Sequence, residues 1–516
     1  MGQSTSPSVR VGAPVSYLRH TFRNVPYGVF ELLTRRRTAA RRDSVLALGT
    51  IVAVLSLACF ILGLILAKLD SFEAACWSLI AALTGATLRP MICDAAGGTL
   101  NLFDPKTLFS LYYFDIFAIS GGYVLLSGQP RYLGTELNVD NSPFFVEALV
   151  LAICGILCFQ IGCRTRLGQS IACQLPRPGD FRRLWVSAVV WGGLFCGILA
   201  SLYFFYAQGG VTEFLAHQEQ WRNTGVMGDG PLTFFMAYLM PMCALINVIN
   251  AMPIIRRKSS LFGALVLFAV SLLPSALLGF RGIFIIAFMQ LMTVWHYRHS
   301  RIPWKKFVAL GATVILLATI YGVFREGRGL KADTAADDLM STLARCRGLE
   351  VVAVVLHDMN ADRQFQYGWR SALETATILV PRGLLPEKIT PGGIRFTTEF
   401  FSPYIYRLEH TERESYGGIS PTIVGELYWN FGTLGVLAGM ALMGVAARTV
   451  ESYVKMDVVP TDGTLFAYAT FIGSFWAMAE APQGTMNLYV IRFTVVGVLV
   501  TILSHRARQK SMAYVR

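Results

Sequence analysis

Apolar runs, most of them about 18 to 24 residues long, recur along this chain, and each is enough for a helix to cross the hydrocarbon of a bilayer. They lie near 44–67, 72–92, 107–127, 143–163, 184–206, 231–252, 259–278, 283–297, 307–324, 418–446, 464–481 and 488–504. Within lipid no water is present to bind a backbone N–H or C=O, so only helices or closed barrels can span. The alternating pattern of a membrane barrel is absent. The expectation is therefore an all-α, polytopic integral membrane protein with about twelve transmembrane helices. A composition of 54% hydrophobic and 15% charged residues agrees, since soluble domains are far more polar. The first run is too long and too far from residue 1 for a cleavable signal peptide, so it reads as a retained span.

The net charge of +13 would suggest nucleic acid in a soluble protein. Its distribution argues for orientation instead. Arg35, Arg36, Arg37, Arg41 and Arg42 precede the first run, and basic residues recur at 164–183, 256–258, 298–306 and the C-terminus. The intervening short loops hold isolated cations such as Lys68, Arg131, Arg222 and Arg281. This alternation follows the positive-inside rule, with both termini cytoplasmic and no polyanionic partner. Five segments result: a basic tail 1–43, nine spans within 44–324, an outer hydrophilic loop 325–416, three spans within 417–505, and a short tail 506–516.

No P-loop, HExxH, GxGxxG or paired CxxC occurs, and the histidines are scattered, so the sequence makes no case for a metal, a nucleotide or any other cofactor. Most cysteines lie in or beside the spans, where they read as small apolar core residues. The unusual residues gather near the long loop. Helical spacing over 337–359 and 370–380 gives it two helices, the second ended by Pro381. Arg325 and Arg328 close the ninth span, Arg281 sits at the turn between spans seven and eight, and Arg382 and Lys388 flank the prolines of PRGLLPEK. Each can snorkel or pair with an acid such as Glu326. Together they form a cluster of cations suited to phosphate oxygens.

Inside the tenth run stands Glu426. Thr422, Glu426 and Asn430 are spaced by four, with Thr433 following, which makes one polar stripe on a helix. Gly425, Gly432 and Gly439, spaced by seven, suit close approach of a neighbouring helix. A carboxylate in a span is costly, and reads either as a functional group or as half of a structural ion pair. Glu480 and Arg492, equidistant from the turn APQGTMN, are expected to face each other across the last hairpin.

At these residues the chain resembles the Wzy-type oligosaccharide repeat-unit polymerases, the O-antigen polymerase family. The resemblance rests on SPTIVGELYWNFGTLG at 420–435, ILVPRGLLPEK at 378–388, LLGFRG at 277–282, FREGRG at 324–329 and FDPKTLFSLYYF at 103–114. One departure is Ile389 after Lys388, where the family commonly has proline. The resemblance implies a glycosyltransferase of GT-C-like architecture in the bacterial inner membrane, with the loop periplasmic. It would polymerise undecaprenyl-diphosphate-linked oligosaccharides for O-antigen lipopolysaccharide, capsule or exopolysaccharide, alongside a flippase and a chain-length regulator. In that chemistry Arg281, Arg325 and Arg382, then Arg328 and Lys388, would bind the diphosphate. Glu426 would be the general base, with Glu350 or Asp358 as alternatives. Two other readings stay open: an O-antigen ligase, with His357 or His410 as base, and a polysaccharide or lipid-linked-sugar transporter. The transporter reading lacks an internal repeat and a large central connection.

Overall fold

The computed structural model describes residues 27–98, 100–127, 143–216, 231–252, 258–277, 281–299, 348–360, 364–377, 420–456 and 460–506, with short pieces within 302–313 and 380–400. The described chain is built of helices. Seven are long and apolar enough to cross a membrane. These are Ser44–Lys68 within α1 (Tyr27–Lys68), α2 (Phe72–Gly97), α3 (from Pro105), α4 (Pro143–Arg164), Trp185–Ala207 within α6 (Arg183–Ala207, which lies between the short α5, Arg166–Gln174, and α7, Val211–Ala216), Thr422–Lys455, and Gly484–Leu503. These seven answer to the expected runs near 44–67, 72–92, 107–127, 143–163, 184–206, 418–446 and 488–504; the runs near 231–252, 259–278, 283–297 and 464–481 fall on described helices that are not among the seven, and nearly all of 307–324 lies outside the described residues.

Two helices carry a π-helical turn. α3 runs as Pro105–Phe114, widens at Asp115–Ile119 and ends as Ser120–Ser127. α8 runs as Pro231–Phe234, widens at Phe235–Leu239 and continues as Met240–Ala251. In α8 the cause is Pro241: with no N–H it cannot bond the carbonyl four residues back, and the ladder shifts just ahead of it. α9 (Lys258–Ser271, continued by Leu273–Leu277) and α10 (Arg281–Arg298) complete this side of the bundle.

One departure from the all-α expectation is a short antiparallel ladder pairing Pro178–Phe181 with Ser504–Arg506. It is pinned by Arg182 N–H to the Leu503 carbonyl at 2.8 Å. Asp462 joins the same corner, accepting from Phe181 N at 3.2 Å and pairing with Arg298. This corner ties the connection after α4 to the end of the last helix.

Two large apolar clusters make up most of the core. One apolar cluster joins α2, α3 and α4 to Ile423, Val424, Val436 and Met440; the other joins α6, α8, α9 and α10. The last hairpin, α14 (Asp462–Phe475 with a 3-10 turn Trp476–Ala479) and α15 (Pro482–Leu503), enters both. Phe475 and Tyr489 belong to the first cluster, Phe466 and Leu499 to the second. Outside, α1 and α6 expose Ile51, Leu55, Trp191, Phe195 and Leu202. Apolar surface of this extent suits lipid, not water.

The tightest crossing joins α4 to the helix that contains Glu426. A Cβ built at Gly162 would lie 2.0 Å from the Ala441 carbonyl oxygen, and one at Gly444 2.1 Å from that of Phe159. These are backbone atoms, so neither can yield without separating the helices. Gly444→Ala is expected to destabilise the fold by about 1–3 kcal/mol, as overpacking does. The readout is the melting temperature in detergent, with Gly263→Ala, which meets nothing within 4 Å, as the neutral control.

Candidate functional site

Helix α13, Thr422–Lys455, is broken. Gly432 has φ 65° and ψ −159°, a backbone region essentially open to glycine alone. The first segment folds back on the second: a Cβ at Gly435 would lie 2.7 Å from the Leu427 carbonyl, and one at Gly439 2.5 Å from Leu427 Cδ2. In a straight helix Leu427 and Gly439 would be separated by 12 × 1.5, about 18 Å. The glycines therefore do not form one face for a neighbouring helix. Gly432 makes the break, Gly439 receives the chain's own Leu427, and Gly425 faces Val352 and Val355 at ordinary contact distance.

A break of this kind frees carbonyls that need donors. The segment 364–368 supplies them. Gln366 N–H reaches the Trp429 carbonyl at 3.3 Å and Tyr367 N–H reaches that of Asn430 at 2.9 Å. The Asn430 side chain accepts from Gly368 N–H at 2.9 Å through Oδ1 and donates to the Glu426 carbonyl at 2.8 Å through Nδ2. Thus the expected stripe exists over Thr422, Glu426 and Asn430, all buried, but its last member is structural and Thr433 beyond the break is exposed.

The loop helix α11 (Gly348–Asn360) lies inside the bundle. A Cβ at Gly348 would meet Ile116 Cγ2 at 2.1 Å and Thr422 Cγ2 at 3.4 Å, and Leu349 packs on Gly121. Ile116 stands 127 − 116 = 11 residues before the end of α3 at Ser127, about 16 Å along its axis. The helix therefore descends between the spans. Its sequence explains this: from Leu349 to Leu356 every residue of GLEVVAVVLHDMN except Glu350 is apolar, and all of them are buried. Leu349, Val352 and Leu356 pack into the main core, while Val351, Val354 and Val355 pack with Phe396, Phe400 and Trp429. A helix whose apolar residues spread over more than one face is buried on more than one side. The second loop helix, α12 (Trp369–Thr377), is tied to α15 by the Asn487 Nδ2 bond to Glu374 at 2.6 Å.

Several acids converge on this junction. Glu426 is 9% exposed and Glu350, in the first turn of α11, 2% exposed. Asp115 lies in the π turn next to Ile116. The Glu480 carboxylate accepts from the Tyr112 hydroxyl, and its main-chain carbonyl accepts from Ser420 Oγ and from Thr422 N–H at 3.0 Å. Thr422 itself has φ 59°, a left-handed conformation uncommon for a β-branched residue. The junction thus combines buried carboxylates, a broken helix and a strained backbone, features that cluster at functional sites.

Of the sequence-expected residues, Glu426 and Glu350 lie on elements that pack on one another. Arg281 opens α10, but its side chain lies outside the described residues, as do Arg325, Arg328, Arg382, Lys388 and His410 entirely. Asp358 pairs with His357 Nδ1 at 3.0 Å, at the end of α11 where His357 meets Phe144 edge-on. The Glu480–Arg492 pair does not form. Glu480 is taken by Tyr112, whereas Arg492 donates to Ser474 Oγ beneath the Tyr238 ring. Equal distance from the turn fails because the 3-10 segment Trp476–Ala479 shifts the register of the hairpin. Asp115 was missed, although an ionisable residue within an apolar span was the signal that singled out Glu426. Among the described residues no cluster of His, Cys, Asp and Glu could hold a metal ion. No family model, curated protein or solved structure matches the chain.

Proposed function

We propose that this chain is a glycosyltransferase that polymerises undecaprenyl-diphosphate-linked repeat units at the outer face of a bacterial inner membrane. The observation that carries the reading is Glu426, a buried carboxylate on a broken helix pinned by the loop segment 364–368. The sequence resemblance over 420–435 supports it at the same residues.

In this reading Glu426 takes the proton of the acceptor sugar hydroxyl as that oxygen bonds to the anomeric carbon of the donor. The bond from that carbon to the lipid diphosphate breaks, and the diphosphate leaves with the electron pair. Arg281, Arg325 and Arg382, with Arg328 and Lys388, stabilise its growing charge. The descending helix α11 would exclude water beside the reacting groups, and the apolar outer faces would hold the prenyl tails. Deleting the gene and resolving the surface polysaccharide on a gel tests this. Glycans capped by a single repeat unit are expected; loss of every cap, with lipid-linked glycan accumulating, would overturn the reading in favour of a ligase. The His357–Asp358 pair supports that second reading, since a carboxylate orienting an imidazole is the arrangement of a general base.

The orientation is tested separately. A cysteine introduced near Asp337 is expected to react with an impermeant thiol reagent in intact spheroplasts. Labelling only after lysis would place 325–416 inside and remove the site from the outer face.

A further inference from the structure

α12 is built inside out. A helix on the surface of a water-soluble domain turns its apolar residues to the core and its polar ones to solvent. Here the polar face is the buried one. Glu374 is 4% exposed and accepts from Asn487 Nδ2, and Thr375 Oγ1 donates to Asn487 Oδ1 at 3.0 Å. On the opposite face Trp369 is 55% exposed and Leu373, one turn on, 43%. Ala372 and Ala376 beside them are exposed as well. The helix also lies against segments long and apolar enough to cross a membrane. Asn487 stands five residues after Pro482, about 7.5 Å into α15 and inside its stretch Gly484–Leu503. The residues leading into α12 are bonded to Asn430 of α13, another such helix. A Cβ at Gly368 would lie 2.9 Å from the Phe431 ring, so the exposed Phe431 continues the apolar face onto α13, where Leu434 is exposed too.

We propose that α12 lies in the bilayer and not in water, its Trp369–Leu373 face covered by phospholipid acyl chains. The Asn487 carboxamide then has its reason. Within lipid no water can meet the Glu374 carboxyl or the Thr375 hydroxyl, so the helix turns both to a partner on α15. Tyr367, 69% exposed, and Trp369 have rings with one polar edge, which settle at the headgroup boundary. The Arg370 guanidinium, 5.3 Å from the Trp369 ring and 3.4 Å from Glu399, places a cation beside that boundary. A saccharide fits this face poorly, because the side chains of Ala372, Leu373 and Ala376 offer it no donor or acceptor. This placement takes part of the segment 325–416, hydrophilic by sequence, out of the aqueous phase. It stands on α12, α13 and α15 and does not rest on the polymerase reading.

The test uses the full chain with the photo-reactive p-benzoylphenylalanine in place of Trp369 or of Leu373. Each protein is purified and placed in nanodiscs of phosphatidylcholine and phosphatidylglycerol. After irradiation, mass spectrometry reads what each position has captured. Position 202 on α6, where Leu202 is 63% exposed on a membrane-crossing helix, carries the same group as the lipid-facing reference. Phospholipid adducts are expected at 369 and 373 in a yield like that at 202. If one of the two proteins does not fold, the other decides. A phospholipid adduct at 202 with none at 369 or 373 would place the face in water and overturn the proposal. A covalent dimer through 369 or 373 would overturn it as well, by showing that a second copy of the chain covers the face.

Discussion

Glu426→Gln is expected to yield a protein that inserts, folds and binds lipid-linked substrate, but polymerises at least about a hundredfold more slowly, as loss of a general base implies. Glutamine keeps the volume and hydrogen-bonding reach of the side chain while removing its ability to take a proton. The local fold does not depend on that charge for its pinning, because Asn430 bonds the Glu426 main-chain carbonyl. Glu426→Asp should retain a fraction of the activity, having the same group on a stem shorter by about one bond of 1.5 Å. A structural ion pair predicts differently: both replacements would lower abundance and Tm, since each leaves a buried partner badly matched. Turnover per folded molecule separates the two. A glutamine variant that folds and polymerises at the wild-type rate ends the assignment and passes the role to Glu350 or Asp358, or to Asp115 in the π turn.

Gly432→Val should damage both fold and activity. The backbone there is accessible to glycine, and a side chain in such a region costs about 1–3 kcal/mol before any contact is considered. A Cβ would also lie 3.1 Å from the Phe365 ring, which sits in the segment that pins the break. Phe365 would be displaced, and with it the bonds from Gln366, Tyr367 and Gly368 to the broken helix. The expected result is a Tm loss larger than that of Gly444→Ala, with proteolysis beginning near 364–368. A Gly432→Val protein of wild-type Tm and wild-type cleavage pattern would show that the break is not required.

The spans were legible because a helix in lipid must be long and apolar, a property carried by each segment alone. The apolar part of α1, Ser44–Lys68, and α2, α4 and α6 match their expected runs within a few residues for that reason. Glu426 was legible on the same ground, as an exception to local apolarity. The fold-back at Gly432 was not. GELYWNFGTLGVLAGM reads as one continuous helix, and its glycines suit close packing as well as they suit a break. The choice was made by donors 60 residues away, the N–H groups of 366–368, which satisfy the carbonyls that a break exposes.

The loop helix follows the same division. Its helical character was carried by the spacing of its own apolar residues. Its depth was not, because burial depends on whether α3, α4 and α13 leave a slot to receive it, and Gly121 and Gly348 open that slot by contacts between segments far apart in sequence. The partners of Glu480 and Arg492 were likewise set by register in the folded hairpin, not by their distance from its turn. Sequence by itself determined which segments form helices long and apolar enough to cross a membrane and which residues stand out in them as polar. Tertiary structure decided where the helix breaks, how deep the loop reaches and which polar groups meet, because those outcomes depend on satisfying backbone and side-chain donors between segments that no local pattern relates.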